Sequence, residues 1–594
     1  MKFWKIIFVF MLANTSILAQ PTPNLKKIMP APTDKITIYQ IYTRLFGNQN
    51  TTNKFYGSRD ENGVGKFNDI TEKALSEIKK MGISHVWFTG VIEHALMTDY
   101  STTGIPKDNP FVVKGKAGSA YAIKDYYDVN PDLAVDVKNR MKEFEALVSR
   151  THQSGLKVIL DCVPNHVARQ YKSDKKPRGT KDFGEDDDTK KAFDPNNNFY
   201  YIPDRPFQVP DNVQIPPDVQ AFAYNEFPAK VTGNDVFNER PSINDWFETI
   251  KLNYGVDIQN GRANHFDPIP STWLKMRDIL VYWTKKGVDG FRCDMAEMVP
   301  AEFWGWVIPE VQKVNPSSIF IAEIYNPNEY KNYLFHGKFN YLYDKVGLYD
   351  VLRKLMEGGG NANDITKVWQ NESGDFGNRM LRFLENHDEQ RIASKYFATD
   401  PFNAIPAMTV SATLHGGPVM LYFGQELGVN PTVAEGFSGD DGRTTMFDYW
   451  GVPEYQAWAN GGKFDSKKLT ASQKKLRQFY TDLLQMVNAS DAIKNGAFYD
   501  LQYAQNYNSS KVYIYLRYTD KQKLLIVCNF DLNNSQDIKI NIPEHALQAM
   551  SVSNKNGLVL KDIFLNKSTT LKSNVGEPIS LNLLPNSVFV LEIK

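Results

Sequence analysis

The sequence predicts an α/β protein: a (β/α)8 TIM barrel with a subdomain inserted after its third strand and a C-terminal antiparallel β-sandwich. Three observations lead to this prediction. Apolar strand-like runs alternate with amphipathic helix-like segments over most of the chain, which is typical of βα units and a parallel sheet. One long stretch between two such units is rich in Pro, Asn and Asp instead. The C-terminal part has strand-like runs without helical spacing.

The alternation of strand and helix begins at the first predicted strand and recurs along the chain. Residues 70–82, for example, have helical spacing that ends at a glycine. Further helix-like segments occur at 141–155, 272–287, 301–314 and 472–487, and strand-like runs at 36–46, 85–90, 156–166, 288–294, 318–325, 379–391 and 417–428. About eight such units over this length favour a closed barrel over an open sheet.

The domain boundaries follow from the same patterns. Residues 35–487 are predicted to form the barrel, interrupted by the inserted subdomain 168–269, and residues 488–594 the β-sandwich. A loop as long as the insertion is either functional or a subdomain of its own. Residues 20–34, which contain Pro and Lys, are predicted to be a linker, and residues 1–19 a signal peptide.

The signal peptide is predicted from its charge and apolarity. Lys2 and Lys5 precede the apolar run 6–12, and the small residue Ala19 stands before the predicted cleavage site. The apolar run is too short to cross a bilayer, and no later segment has the length and apolarity of a membrane span. We therefore expect an exported protein, periplasmic or secreted, with no membrane span.

Charge and cysteine content exclude several classes. The formal net charge of the 594-residue chain is zero. The protein therefore has no large electrostatic field that would attract it to nucleic acid or to an acidic membrane surface. The odd number of cysteines in an exported chain argues against a disulfide framework. Cys162 and Cys293 lie inside apolar runs and are predicted to be small buried hydrophobic residues.

Charged and amide residues stand at the ends of four predicted barrel strands. They are Asp161, Asn165 and His166 after one strand, Arg292 and Asp294 after the next, Glu323 after a third, and Glu385, Asn386, His387 and Asp388 after a fourth. The C-terminal ends of barrel strands converge on one face, where barrel enzymes place their chemistry. A single charged residue at the end of a strand is ordinary, but four such strand ends together predict a functional site. We call this site, at the C-terminal ends of the barrel strands, the cup.

Two carboxylates in such a cup suit the cleavage of an acetal. One attacks or stabilises the sugar carbon, the other protonates the leaving oxygen, and the two need different pKa values. Arg292 and Asp294 alternate along one strand and share a face, so we expect the guanidinium to keep Asp294 ionised. Glu323 lies beneath apolar neighbours and faces other carboxylates, so we expect a raised pKa, as a proton donor requires.

The motifs at these strand ends resemble those of the α-amylase family of retaining glycoside hydrolases. The stretches are DCVPNH (161–166), GFRCD (290–294), AE (322–323) and ENHD (385–388), and GPVMLYFGQELG (417–428) is similar to the stretch around the family's eighth strand. The resemblance extends from about residue 35 to the C-terminus and covers the barrel, the insertion and the β-sandwich.

The resemblance implies a catalytic trio. Asp294 would be the nucleophile that forms a β-glycosyl-enzyme, and Glu323 the general acid/base. Asp388 would grip hydroxyls of the sugar at the cleavage point and favour its distortion. The implied reaction is hydrolysis of α-1,4-glucosidic bonds in starch or maltodextrin-type glucans by double displacement, with water as the only second substrate and no organic cofactor.

The resemblance also implies substrate contacts around the trio. His166 and His387 would hydrogen-bond the same sugar, and Arg292 would orient and polarise the nucleophile. Asp161 is similar to the family's buried partner that braces this array. Tyr121 resembles the aromatic residue on which the sugar ring stacks, and a tyrosine buried in a barrel loop is the alternative.

The sequence departs from the family where calcium usually binds. Many members have Lys-His three and four residues after the nucleophile, where this chain has Glu297 and Met298. Lys251 stands where an aspartate is common, whereas Asn165 matches a usual calcium ligand. Asn165 therefore implies a structural Ca2+ at this position, whereas Lys251, Glu297 and Met298 argue against it.

Two other segments offer oxygen ligands of the kind that hard cations prefer. One is the acidic run 185–188, for which a solvated loop is the alternative. The other is the Asn-rich loop 48–53, ahead of Asp60.

Competing functions remain open within and outside this chemistry. A 4-α-glucanotransferase or a neopullulanase or cyclomaltodextrinase-type enzyme fits the departures at Glu297, Met298 and Lys251, because acceptor-side residues decide whether water or a sugar attacks. A catalytically inactive glucan-binding barrel would be expected to lose the nucleophile or the acid.

A phosphate-binding loop and the nucleophile turn of a serine hydrolase are unsupported, because neither sequence motif is present.

Overall fold

The protein is described by a computed structural model over residues 35–436, 439–505, 510–552, 557–565 and 568–594. The predicted signal peptide (1–19) and linker (20–34) lie outside the described residues and stay predictions. No helix within the described ranges is long and apolar enough to span a membrane. All three cysteines are buried and free.

Eight parallel strands form the barrel. In chain order they are β1 (Thr37–Tyr42), β2 (His85–Thr89), β3 (Lys157–Cys162), β4 (Gly290–Cys293), β5 (Ile319–Ala322), β6 (Tyr341–Tyr343), β7 (Met380–Leu381) and β8 (Val419–Tyr422). Each strand pairs with the next from β1 to β7, and β1 also pairs with β8. A parallel bridge from Arg382 to Val419 closes the ring. The predicted barrel is confirmed.

Helices surround the barrel and follow its strands. The main ones are α1 (Glu72–Lys80), α2 (Arg140–Gln153), α3 (Ser271–Lys285), α4 (Ala301–Gln312), α5 (Asp350–Met356), α6 (Asn363–Val368), α7 (Ala404–Thr413) and α8 (Ala471–Ala489). α1 begins where the Thr71 hydroxyl accepts a hydrogen bond from the Ala74 N–H, a favoured N-cap. α8 begins with a capping box between Thr470 and Gln473.

Alternation along the strands builds the barrel interior in layers. Ile38, Trp87, Ile159 and Ile321 belong to one buried apolar cluster. Because side chains alternate between the two faces of a strand, the residues two positions further along point the same way. On β3 and β5 this step leads from Ile159 to Asp161 and from Ile321 to Glu323. The apolar interior is thereby capped by a charged layer at the C-terminal ends of the strands.

The sixth strand, β6, lies in a stretch where the sequence predicts none. It is three residues long, too short for a period-two pattern to stand out. Its register pairs Leu342 with Ala322 of β5 and Met380 of β7. It brings Tyr343 to the charged layer.

The segment between β3 and α3 contains only short strands. His166–Ala168 pairs with Thr249–Lys251, Tyr201–Ile202 with Ala229–Lys230, and Val256–Asp257 with Ala263–Asn264, all antiparallel. The first pairing sets His166 opposite Lys251, so both ends of the insertion meet at the barrel mouth. A further pair, Ile92–His94 with Ile123–Val129, forms in the loop after β2.

The C-terminal domain is an antiparallel β-sandwich. A six-stranded sheet contains Ala497–Asp500, Val512–Tyr518, Lys523–Asn529, Val588–Ile593, Leu558–Asp562 and Thr570–Ser573, and a two-stranded sheet contains Gln536–Ile540 and Ile579–Leu583. A separate hydrophobic core includes Ile514, Val527 and Leu591 of the larger sheet and Ile538 and Leu581 of the smaller one. The predicted all-β module is therefore present.

Candidate active site

Arg292 occupies the centre of the charged layer and contacts three carboxylates. Its Nη1 lies 2.9 Å from Asp294 Oδ1 and 3.3 Å from Asp161 Oδ1. Its Nη2 lies 2.6 Å from Glu323 Oε1. The three strands β3, β4 and β5 each contribute one carboxylate, so the barrel itself gathers the predicted residues. Charge-assisted contacts of this kind are stronger than neutral ones.

Aromatic rings enclose the guanidinium. Arg292 is fully buried, and the rings of Trp87, Tyr121 and Tyr343 have centroids 5.4, 5.6 and 5.4 Å from its central carbon. Arg292 Nε donates to the Tyr343 hydroxyl at 3.1 Å. This packing fixes the guanidinium plane, so the positions of the three carboxylates are fixed as well.

The electrostatics of Asp294 differ from the expectation. Burial and then the Glu323 charge raise the pKa of Asp294 well above its usual value, and Arg292 acts against them. The expectation that Arg292 keeps Asp294 ionised is therefore wrong for the free protein. The physical reason is that burial penalises the charged carboxylate and the Glu323 charge adds to this, and Arg292, which three carboxylates share, does not offset both. Burial likewise raises the pKa of Asp161 to about 6.

Glu323 is oriented by two donors besides Arg292. Its Oε2 accepts a hydrogen bond from the Met295 backbone N–H at 2.8 Å, and its Oε1 accepts one from the Tyr325 hydroxyl at 2.7 Å. Met295 has φ 42° and ψ 43°, the left-handed region that side-chain-bearing residues adopt at some cost. That turn directly follows Asp294 and aims the N–H at Glu323.

His387 links several predicted site residues in one chain of hydrogen bonds. Gln40 Nε2 donates to His387 Nδ1 at 2.9 Å. The other ring nitrogen, Nε2, then carries the proton and faces Asp388 Oδ2 at 3.2 Å and the Tyr121 hydroxyl. Tyr121 in turn donates to Asp161 Oδ1 at 3.4 Å. Burial, assisted by Arg292, lowers the pKa of His387 to about 3, so the ring is neutral at ordinary pH.

Tyr121 and Asp388 differ in how far they open to solvent. The Tyr121 ring stacks on the His387 ring at 5.2 Å and 18° and is only 8% exposed. Asp388 has 36% of its side chain exposed, the largest fraction in the trio. Arg443 Nε donates to the Asp388 backbone carbonyl at 2.6 Å and so fixes the main chain there.

His166 stands at the edge of the cup beneath the insertion. The side-chain amide of Asn165 lies 3.1 Å from its Nδ1, and the ring also hydrogen-bonds the Tyr121 backbone. Burial lowers the pKa of His166 to about 3. A Cβ on Gly233 would lie 3.0 Å from the His166 Cβ, so a glycine is needed for the insertion to approach this closely.

Comparison with known proteins identifies the family. The family model for the α-amylase catalytic domain matches residues 40–514. The chain belongs to the α-amylase family of glycoside hydrolases. The family's C-terminal all-β domain matches residues 503–594 of this α-amylase-family enzyme, in agreement with the predicted resemblance.

Relatives of this α-amylase-family enzyme are distant. It is 21% identical to α-amylase 3 of Dictyoglomus thermophilum over 483 residues, 77% of this chain and 78% of that protein. It is 22% identical to a cyclomaltodextrinase of Bacillus sp. over 515 residues, 84% and 74% of the two chains. The crystal structure of α-amylase from Geobacillus thermoleovorans complexed with acarbose matches with a TM-score of 0.60 and 20% identity, over 95% and 98%. That structural likeness shows the shared fold alone.

The residues around Asn165 do not fit the calcium ion that the resemblance implies. The Lys251 ammonium donates to Asn165 Oδ1, lies 2.7 Å from Asp235 Oδ1 and 3.5 Å from the Met298 carbonyl oxygen. These oxygens are of the kind that calcium prefers, but a tethered ammonium already lies among them. The predicted metal role of Asn165 is corrected accordingly: its amide oxygen accepts from a lysine.

Replacing Lys251 by methionine is expected to destabilise this enzyme by about 3 kcal/mol, because a buried ion pair that loses one partner leaves the other charge uncompensated. Lys251 has 4% of its side chain exposed and Asp235 has 22%. Urea unfolding measures the change. The control is Lys230→Met in the same insertion, where the ion pair to Glu226 is longer, 3.7 Å. Equal losses in the two variants would contradict this account.

The other sequence-predicted cation sites are satisfied by the protein's own groups. Glu185 and Asp186 each pair with a lysine, at 3.2 and 2.6 Å. Asn48 and Asn53 donate to backbone carbonyls of the 450–451 turn. Among the described residues, no side chain of either segment belongs to a group of three or more His, Cys, Asp or Glu residues that could hold a metal ion.

Glu297 supports the loop that follows β5. Its Oε2 accepts hydrogen bonds from the backbone N–H groups of Tyr325 and Asn326, at 3.2 and 3.1 Å. Tyr325 is the residue whose hydroxyl donates to Glu323. The departure at Glu297 therefore acts on the predicted proton donor through this loop.

Sequence reasoning missed several residues of the cup. Tyr325 could have been found, because it alternates with Glu323 and shares its face. Tyr343 gave no signal, since its strand was not predicted. Trp246 lies half-buried with its ring 5.3 Å from that of His166, and nothing in its sequence surroundings marked it.

Tyr325→Phe is expected to lower kcat/KM about 10- to 100-fold, because a hydrogen bond to a charged group contributes about 1.5–3 kcal/mol. Steady-state kinetics on a soluble maltodextrin measures it. Tyr330→Phe is the matched control, since that hydroxyl is buried and no hydrogen-bond partner for it is found within the described part of the chain. The role of Tyr325 would be refuted by equal kinetics in the two variants.

Proposed function

We propose that this enzyme is an exported retaining α-glucan hydrolase that cleaves α-1,4-glucosidic bonds of starch or maltodextrin-type substrates. One observation carries the proposal: a single buried guanidinium, Arg292, contacts both Asp294 and Glu323 at the C-terminal end of the barrel. Two carboxylates held in this way are what acetal cleavage by double displacement requires. Family membership and the names of the relatives, an α-amylase and a cyclomaltodextrinase, support the substrate class.

The first proposed step forms a covalent intermediate. Asp294 attacks the anomeric carbon while the bond from that carbon to the glycosidic oxygen breaks, and Glu323 gives its proton to the departing oxygen. The products are a β-glycosyl ester on Asp294 and a shortened glucan. Arg292 contacts both carboxylates and so positions one for attack on the sugar carbon and the other beside the leaving oxygen.

The second step releases the sugar. Water attacks the same carbon, Glu323 takes a proton from that water, and Asp294 leaves as a carboxylate. Two inversions give net retention of the α configuration. Asp388, the most open carboxylate of the trio, is proposed to hold sugar hydroxyls during both steps, with His166 and His387 as neutral hydrogen-bonding partners. No step needs an organic cofactor or a metal ion.

A glucanotransferase, or a neopullulanase or cyclomaltodextrinase-type enzyme, is the second candidate. It is favoured by two departures from the family on the side of the cup where the attacking water or sugar would bind. There, Glu297 accepts a hydrogen bond from the backbone of the Tyr325 loop, and Lys251 donates to Asn165. A catalytically inactive glucan-binding barrel is disfavoured, since Asp294, Glu323 and Asp388 are all present in the cup.

Product analysis on starch, pullulan and cyclodextrin separates these candidates. The hydrolase proposal expects new reducing ends from starch in step with shortening of the chains. Long transfer products with little new reducing sugar would overturn it in favour of a transferase. Faster cleavage of cyclodextrin or pullulan than of starch would move the assignment to the cyclomaltodextrinase or neopullulanase type.

Export is part of the proposal and rests on the sequence before Gln20. Lys2, Lys5 and the apolar run 6–12 support it. Mass spectrometry of protein from periplasmic extract or culture medium is expected to find Gln20 at the N-terminus. Protein confined to the cytoplasm with Met1 retained would contradict export.

A further inference from the structure

Three carboxylates gather outside the cup, where the loop after β2 meets the insertion. Glu93 lies on the strand Ile92–His94, Asp125 lies opposite it on Ile123–Val129, and Asp174 follows in the inserted segment. Each places one oxygen within 4.8 Å of the other two. The pairing of the two strands is irregular on both sides of Glu93.

Glu93 is the unusual member of the cluster. It is 1% exposed, and both of its carboxylate oxygens are buried with no hydrogen-bond partner among the described residues. A buried carboxylate without a partner is costly, and buried charges in proteins are normally paired or bound to a metal ion. The two oxygens are therefore free to bind a ligand that the protein itself does not provide.

Asp125 supplies an oriented carboxyl group beside Glu93. Its Oδ1 accepts from the Tyr127 N–H and the Ser173 hydroxyl, at 2.7 and 2.6 Å. Its Oδ2 accepts from the backbone N–H groups of Asp174 and Lys175, at 2.9 and 3.0 Å. All four donors are neutral, so they orient the carboxylate without compensating its charge.

Nearby cations are committed elsewhere or lie at the rim. Lys124 lies 3.0 Å from Asp108, and Arg140 lies 2.5 Å from Asp128. The outer carboxylate, Asp174, has Arg140 at 4.0 Å and the half-exposed Lys175 at 3.8 Å. None of these four ion pairs involves Glu93 or Asp125.

We propose that Glu93, Asp125 and Asp174 bind a structural Ca2+. Each of the three carboxylates offers an oxygen within 4.8 Å of the others. Ca2+ accepts several protein oxygens in flexible geometry, whereas Mg2+ demands near-ideal octahedral geometry and usually keeps several of its waters, so a site lined by three carboxylates favours Ca2+. Asp174 has 23% of its side chain exposed, which gives the ion an entry path. The ion would tie the loop that carries Tyr121 to the start of the insertion.

The test compares purified protein in EGTA with the same protein in CaCl2 or MgCl2. Isothermal titration calorimetry is expected to find one Ca2+ per chain at this cluster. At a Ca2+ concentration of about 100 Kd, the ratio of folded to unfolded protein should rise about a hundredfold, seen as a higher Tm. Mg2+ should give a smaller rise.

Three variants locate the ion. Glu93→Gln should lose the Ca2+ response, and it should be less stable than wild type in CaCl2 but close to wild type in EGTA, because the amide keeps the shape of the carboxyl group but supplies no anionic ligand to the ion. Asp174→Asn, a change at the surface that leaves the core intact, should weaken Ca2+ binding about tenfold or more. Glu185→Gln, in the acidic run of the same insertion, should respond as wild type does.

Several results would overturn the proposal. One is a wild-type protein without heat or Tm change on Ca2+ addition, as expected if Glu93 and Asp125 instead share a proton. Another is Ca2+ binding that survives both Glu93→Gln and Asp174→Asn. An Mg2+ response equal to that of Ca2+ would also contradict the assignment. If Glu93→Gln fails to fold, the comparison of Asp174→Asn with Glu185→Gln decides alone.

Discussion

Asp294→Asn is expected to abolish turnover while leaving glucan binding intact. The amide keeps the shape of the carboxylate and can still accept the hydrogen bond from Arg292 Nη1, which lies 2.9 Å from Oδ1 in the native protein. It cannot form the glycosyl ester, so kcat should fall about 10⁴- to 10⁶-fold, the loss seen when one member of a catalytic unit is removed. Initial rates on maltodextrin and calorimetric binding of the same glucan measure the two effects.

A matched control lies just before the same strand. Asp289 is at the opposite end of β4 and hydrogen-bonds His152 and the Val158 N–H, far from the cup along the strand. Asp289→Asn should therefore alter stability but keep kcat near the native value. Activity of Asp294→Asn within tenfold of that control would refute the nucleophile assignment.

The raised pKa of Asp294 predicts where activity falls in acid. The nucleophile must be ionised, and burial and the Glu323 charge raise the pKa of Asp294 in the free protein. As pH falls through this raised pKa, the reactive form is lost. The acid limb of kcat/KM should therefore lie above the ordinary aspartate value of about 3.9.

Glu323→Gln is expected to lower kcat on maltodextrins about 10²- to 10⁴-fold, the usual contribution of general acid–base catalysis. The glutamine retains an oxygen for one of the donors, the Met295 N–H or the Tyr325 hydroxyl, but has no acidic proton for the leaving oxygen. α-Maltosyl fluoride departs without protonation. The variant should therefore form the glycosyl-enzyme from this fluoride at a rate much closer to the native one.

The contrast between the two substrates is the decisive readout. Equal losses on maltodextrin and on the fluoride would show that Glu323 does not act as the proton donor. Glu329→Gln, on the same loop after β5, should leave both rates unchanged. Added azide should speed turnover of the fluoride by the Glu323→Gln variant, because an anion can attack the intermediate without a general base.

The barrel, and the position of the predicted trio at the ends of its strands, could be predicted from sequence because side chains alternate along a strand and the strand ends of a barrel converge on one face. A run that ends in Arg292 and Asp294 places both on one face, and the closed ring brings the ends of β3, β4 and β5 together. The insertion after β3 was marked by its composition. In these parts, local pattern and global fold agree.

Other features depend on contacts that no local pattern encodes. The sharing of Arg292 among Asp161, Asp294 and Glu323 follows from distances between strands, and the pKa of Asp294 is raised by burial and by the Glu323 charge. The position of the Lys251 ammonium beside Asn165 follows from pairing between residues 86 positions apart. The Glu93 carboxylate, which has no hydrogen-bond partner among the residues that the structure describes, can be recognised only once burial and hydrogen bonds are known.

The stereochemistry of hydrolysis tests the central claim most directly. Proton NMR can follow the anomeric signals in the first minutes of cleavage of a maltooligosaccharide, before mutarotation. A retaining double displacement through Asp294 and Glu323 predicts that the new reducing end appears first as the α-anomer and only later equilibrates. Initial appearance of the β-anomer would contradict the covalent mechanism, and the absence of any new reducing end would contradict hydrolysis itself.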